Sequence, residues 1–103
     1  MGLFSNFFGK KQRKLDDFFS RDAVIIDVRS KAEYDSGAIP GSKHIPVQNI
    51  AAQATTIKKW NKPVICVCAS GGRSATAAAV LRSKGIEAMN GGGWLSLYKK
   101  MIT

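Results

Sequence analysis

Two kinds of apolar pattern run along the chain. Ala23 to Val28 (AVIIDV) and Val64 to Cys68 (VICVC) are short, nearly unbroken apolar runs rich in β-branched residues. That pattern predicts strands buried on both faces of a parallel sheet. Ile86 to Met89 is a third strand candidate, and a brief extended piece around His44 to Pro46 follows the turn residues of AIPGSKHIPV. Elsewhere the spacing is helical. Lys31 to Ser36 reads as a short helix with Ser30 as N-cap and Gly37 as its stop. Gln48 to Trp60 carries Ile50, Ala51, Ala54, Ile57 and Trp60 near helical period and ends at Asn61-Lys62-Pro63. Ser74 to Lys84 is alanine-rich and closed by Gly85, while Trp94 to Ile102 places Trp94, Leu95, Tyr98 and Ile102 near one face. Asn90-Gly-Gly-Gly reads as a loop.

Strands alternating with helices of this length predict an α/β fold: a small, doubly wound, mainly parallel sheet with helices on both faces. Ligands of such sheets lie beyond the carboxyl ends of the strands. Cys68 stands at such an end. Residues 1–14 differ in character, with Leu3, Phe4, Phe7 and Phe8 followed by Lys10, Lys11, Arg13 and Lys14. We therefore divide the chain into a basic, aromatic N-terminal segment, 1–14, and a domain, 15–103. The segment either docks on the domain or frays, with contact to a membrane surface as the remaining alternative.

At 103 residues there is room for one core, and 45% hydrophobic residues are enough to build it. The formal charge of +9 raises nucleic acid or an anionic surface as partners. Its cations, however, fall in separate clusters that suit solvated faces, so no nucleic-acid partner is expected, and a basic surface still attracts small anions. The two cysteines, Cys66 and Cys68, are too close in sequence to make a useful disulfide, which fits a reducing compartment. The N-terminal residues resemble no export signal, and no apolar run is long enough to cross a bilayer. A cytoplasmic location is expected.

The chemistry concentrates in CASGGRS, Cys68 to Ser74. A strand feeding a helix through a short glycine-bearing turn aims successive N–H groups inward at the positive end of the helix. Such a nest favours thiolate over thiol, so Cys68 should ionise below its free pKa of about 8.5. The same loop, Ala69, Ser70, Gly71, Gly72, Arg73 and Ser74, can hold an incoming anion against the sulfur, provided Arg73 turns inward. Ser74 can tie the loop or hydrogen-bond the sulfur. Cys66, inside the strand, is expected to be a packed core thiol. His44, the one histidine of the chain, reads as a partly exposed structural residue, and no metal site is supported.

The chain resembles a single-domain rhodanese, a sulfurtransferase, over roughly Asp16 to Tyr98. Cys68, Gly71, Arg73 and Ser74 match the active-site pattern C-x-x-G-x-R-S. VIIDVRSKAEYDSG is similar to the family's first strand and helix, AIPGSKHIPV to its proline turn and GGGWLSLY to its closing glycine–tryptophan segment. The resemblance implies a two-step reaction without a cofactor. Cys68 takes the outer sulfur of a small anionic donor such as thiosulfate, then passes it from the persulfide to cyanide, a thioredoxin-like dithiol or another protein thiol. It also implies that Asp27 and Arg29 support the loop. From its spacing, Glu33 is expected to pair with Arg29 across the first turn of the helix. The family often carries G-H-I-P-G where this chain has Gly37-Ala38-Ile39-Pro40-Gly41, which removes a polar group near the pocket rim.

Two other functions compete with this one. Cys-based phosphatases and arsenate reductases share the fold but place one more residue between cysteine and arginine than Ala69, Ser70, Gly71 and Gly72 supply here. A non-catalytic rhodanese-like module would carry sulfur or regulate a partner, although such modules generally lack the cysteine.

Overall fold

The computed structural model describes residues 3–103, with side chains from residue 9 onward. Its elements are α1 (Leu3–Ser20), β1 (Val24–Asp27), α2 (Lys31–Asp35), β2 (Lys43–His44), a single 3-10 turn at Val47–Asn49, α3 (Ile50–Lys59), β3 (Val64–Cys68), α4 (Gly72–Ser83), β4 (Ala88–Gly93) and α5 (Trp94–Met101). The strands lie in the order β2-β1-β3-β4, and every neighbouring pair is parallel. From β1 the chain crosses outward to β2, then returns to place β3 on the other side of β1. The order therefore reverses between β1 and β3, whose carboxyl ends carry Asp27 and Cys68, the place where ligands of such sheets bind.

Alternation along the strands sorts the core into two layers. Ile26, Val28, Val64, Cys66 and Cys68 point toward α3 and α4, where they meet Ile50, Ile57, Ala77, Ala78 and Leu81. Ile25, Ile65, Val67 and Met89 point the other way, against Leu15 and Phe18 of α1 and Leu97 of α5. Small alanines on the inner side of α4 let its backbone approach the sheet closely. The doubly wound architecture expected from the strand–helix alternation is the one observed.

The division expected at residues 14 and 15 lies within α1, and Leu15 and Phe18 are core residues of the same helix that carries Lys10 and Lys14. The proposed aromatic face of Leu3, Phe4, Phe7 and Phe8 lies outside the described side chains. One expectation needs correction. Asn90 to Gly93 is strand rather than loop. Its pairing with β3 shifts by one residue between Cys66 and Val67, opposite Asn90 and Gly92, so that Gly91 forms a bulge. Packing explains why glycine is used. A Cβ on Gly91 would sit 2.6 Å from Ile65 Cγ2, and one on Gly93 would sit 2.8 Å from the Ala69 carbonyl oxygen.

Candidate active site

Cys68 is the last residue of β3, and the loop that follows folds back over its side chain. Gly71 takes a left-handed backbone, φ +108°, at the N-cap of α4, a conformation that glycine adopts without cost. This turn aims the Gly71 N–H at Cys68 Sγ, 3.0 Å away. The Ser74 N–H follows at 3.4 Å, and Ser74 Oγ lies 3.2 Å from the sulfur. Cys68 is only 1% exposed, and burial pushes its thiol upward. The bonds from the Ser74 hydroxyl and the Ser74, Gly71 and Ser70 amides outweigh burial and bring it down to about 7. Cys66 has no such donors, and burial pushes it up to about 12.

The loop is held from behind by Asn90, a residue that sequence reasoning passed over. Its Nδ2 donates to the Gly71 carbonyl at 3.0 Å, while its Oδ1 accepts from Ser74 Oγ at 2.7 Å and from the Gly92 N–H at 2.9 Å. A lone amide after the apolar residues of β4 was the available signal, masked by the glycines that follow it. The exposed residues Ala69, Ser70 and Gly72 form the outer side of the loop. A Cβ on Gly72 would meet nothing within 4 Å, so that side is open.

Arg73 does not reach the sulfur. Its guanidinium makes a two-pronged pair with Glu33, at 2.7 and 3.0 Å, and stays 40% exposed. The pair, with help from Ser30, holds the Glu33 carboxyl down to about 2. Glu33 also completes a capping box with Ser30 at the start of α2, so the pair ties α2 to the start of α4. The expected partner of Glu33, Arg29, instead binds Asp27. Arg29 Nε and Nη2 approach the Asp27 carboxylate to 2.9 and 2.7 Å, Nη2 also donates to the Gly37 carbonyl at 2.7 Å, and both side chains are almost fully buried. Trp94 covers the guanidinium, 4.8 Å from its ring centroid. His44 stacks on Tyr34, and its Nε2 lies 2.7 Å from the Arg29 carbonyl oxygen, which requires the proton on Nε2.

The site is therefore a sulfur at a strand end, solvated by backbone amides at a helix start. A rhodanese-like domain profile matches residues 11–98. The chain belongs to the rhodanese-like family. This rhodanese-like domain is 36% identical over 86 residues to the thiosulfate sulfurtransferase GlpE of Pseudoalteromonas translucida, covering 79% of this chain and 81% of that protein. It is also 36% identical over 83 residues, 81% of its own length, to a tRNA sulfurtransferase of Desulfurococcus amylolyticus, but spans only 16% of that protein. A rhodanese-like domain protein of Staphylococcus aureus superposes with a TM-score of 0.66 at 36% identity, over 74% of each chain. A rhodanese from E. coli with bound anions gives 0.64 at 28%, over 71% of this chain and 88% of that one. At the level of the family, the module is of the sulfurtransferase type. No helix among the described residues is long and apolar enough to cross a membrane.

Proposed function

We propose that this domain is a sulfurtransferase that moves sulfane sulfur from thiosulfate, or a persulfide donor, to a thiophilic acceptor through a Cys68 persulfide. The observation that carries this reading is the convergence of the Gly71 and Ser74 donors on one sulfur, 3.0 to 3.4 Å away. These donors favour the thiolate near neutral pH, and the thiolate is the nucleophile in exchange at sulfur.

In the first step Cys68 Sγ⁻ attacks the outer sulfur of thiosulfate. A new S–S bond forms, the S–S bond of thiosulfate breaks, and sulfite leaves with the electron pair. The product, Cys68–S–S⁻, is an anion in the same nest, and the loop amides can serve the outer sulfur as they served the inner one. In the second step a nucleophile such as cyanide or a protein thiolate takes the terminal sulfur, and Cys68 leaves as the thiolate. Charge balances in each step, and no cofactor is required. Arg73, exposed at the mouth, draws the donor anion in; Asp27 and Arg29 keep the strand end and the turn at Gly37 in place.

A thioredoxin-like dithiol or another protein thiol fits the acceptor role, and the likeness to a thiosulfate sulfurtransferase over most of both chains supports thiosulfate as donor. A phosphatase reading is disfavoured, because Arg73 is paired outside the loop and the loop is one residue short. Incubation with thiosulfate, followed by intact-protein mass spectrometry and then cyanide, tests the proposal. It predicts a gain of one sulfur atom on the wild type, lost on cyanide addition with formation of thiocyanate, and neither signal in Cys68→Ser. A wild type that takes up no sulfur supports a non-catalytic module instead.

A further inference from the structure

The chain carries 16 basic and seven acidic residues, and the acids are all committed. Six of them are in ion pairs, and Asp16 accepts from Gln12. Lys10, Lys11, Lys14 and Arg82 take part in none of the ion pairs among the described residues. They nevertheless converge, together with Met89 and Asn90, on one groove of about 370 Å³. The groove wraps the outer edge of β4, the last strand of the sheet, with α1 on one side and α4 on the other.

Four cationic side chains that line one groove and form no ion pair among the described residues favour an anion there, and a multiply charged anion over a monoanion. Lysine ammonium groups bind phosphate oxygens as mobile point charges. Lys10 and Lys14 are one helical turn apart, so both reach the same ligand from one face of α1. Arg82 donates one N–H to the Ala88 carbonyl at 3.1 Å, which fixes its guanidinium over the strand edge and leaves its other donors for a ligand. The volume lies in the range of small-molecule sites.

The groove adjoins the Cys68 loop without sharing its anion donors. Lys11 Nζ is 3.6 Å from the position a Cβ would take on Gly92, and Gly92 Cα is 3.5 Å from the corresponding position on Gly71. The Gly71 and Ser74 amides, however, point at the sulfur. We propose that this groove is a second anion site that takes a polyphosphate group, a diphosphate or longer, separate from the Cys68 loop. The proposal goes beyond the sulfur-transfer reading and stands without it.

Isothermal titration of the full chain at low ionic strength, with inorganic pyrophosphate as the probe, tests it. Saturable one-site binding is expected, with orthophosphate weaker. The double variant Lys11→Gln/Lys14→Gln should weaken pyrophosphate on the order of tenfold. The control Lys99→Gln/Lys100→Gln on α5 should leave it unchanged, as should Cys68→Ser and prior alkylation of Cys68. ADP distinguishes the sources of the phosphate: tighter binding than pyrophosphate assigns it to a nucleotide, equal binding to a free polyphosphate, and both uphold the site. An equal loss in the α5 control means a diffuse charge effect and overturns the proposal. So does loss on Cys68 alkylation, which moves the anion into the loop, and so does the absence of saturable binding. A protein that fails to take sulfur from thiosulfate leaves each of these results as it stands.

Discussion

Ser74 Oγ lies 2.7 Å from Asn90 Oδ1 and 3.2 Å from Cys68 Sγ, so a single hydroxyl proton has two acceptors. With Cys68 protonated, the thiol can donate to Ser74 Oγ while Ser74 donates to Asn90. When the sulfur ionises, the Ser74 proton can turn to it, and Asn90 Oδ1 keeps the Gly92 N–H. The serine thus stabilises both protonation states, the charged one more strongly. Ser74→Ala should raise the Cys68 pKa above about 7 and slow its alkylation by iodoacetamide at neutral pH, as read from the rate against pH. An unchanged profile would mean that the backbone amides alone set the ionisation.

Gly71 and Gly72 are adjacent but do different work. Gly71 needs its left-handed backbone to aim an N–H at the sulfur, whereas Gly72 opens α4 with free space where a Cβ would go. Gly71→Ala should cost roughly 1–2 kcal/mol and raise the Cys68 pKa. Gly72→Ala should leave stability within about 1 kcal/mol of the wild type. Chemical denaturation and the alkylation profile of both variants check the contrast.

Arg73 is held by Glu33, part-exposed, rather than on the sulfur, and its proposed role is to draw in the donor anion. Arg73→Ala should raise KM for thiosulfate on the order of tenfold and move the alkylation profile less than Ser74→Ala does. Steady-state kinetics with cyanide as the second substrate separates the two effects. A large pKa change without a KM change would place the guanidinium on the sulfur instead.

The Asp27–Arg29 pair is buried, and breaking one half strands the other. Asp27→Asn leaves the Arg29 guanidinium under Trp94 without its charge partner and should cost about 3–5 kcal/mol. Denaturant unfolding measures this. A loss near zero would mean that the Gly37 and Glu33 carbonyls, to which Arg29 donates at 2.7 and 3.3 Å, satisfy it by themselves.

β1 and β3 were legible in the sequence because both are apolar on both faces, and α4 because alanine favours helix and Gly85 stops it. The nest at Cys68 was legible because glycine, a strand end and a helix start constrain the same few residues. What the sequence hid was tertiary. Three consecutive glycines read as a loop until β3 is placed against them, and then the missing Cβ atoms let the bulged strand approach Ile65 and Ala69. The partner of Glu33 is hidden for a similar reason. Arg29 is near in sequence, but Asp27 claims it inside the core, and Arg73, 40 residues on, meets Glu33 only in the folded chain. Asn90 carries no local pattern at all; its role exists only once β4 lies beside the loop.

Everything in the proposed chemistry depends on the loop donors favouring the Cys68 thiolate near neutral pH despite burial. Mass-resolved alkylation of the wild type from pH 5 to 10, following Cys68 separately from Cys66, tests it most directly. The Cys68 rate should reach half its plateau near pH 7, with Cys66 inert throughout. A midpoint at or above the free-thiol value of about 8.5 would contradict it.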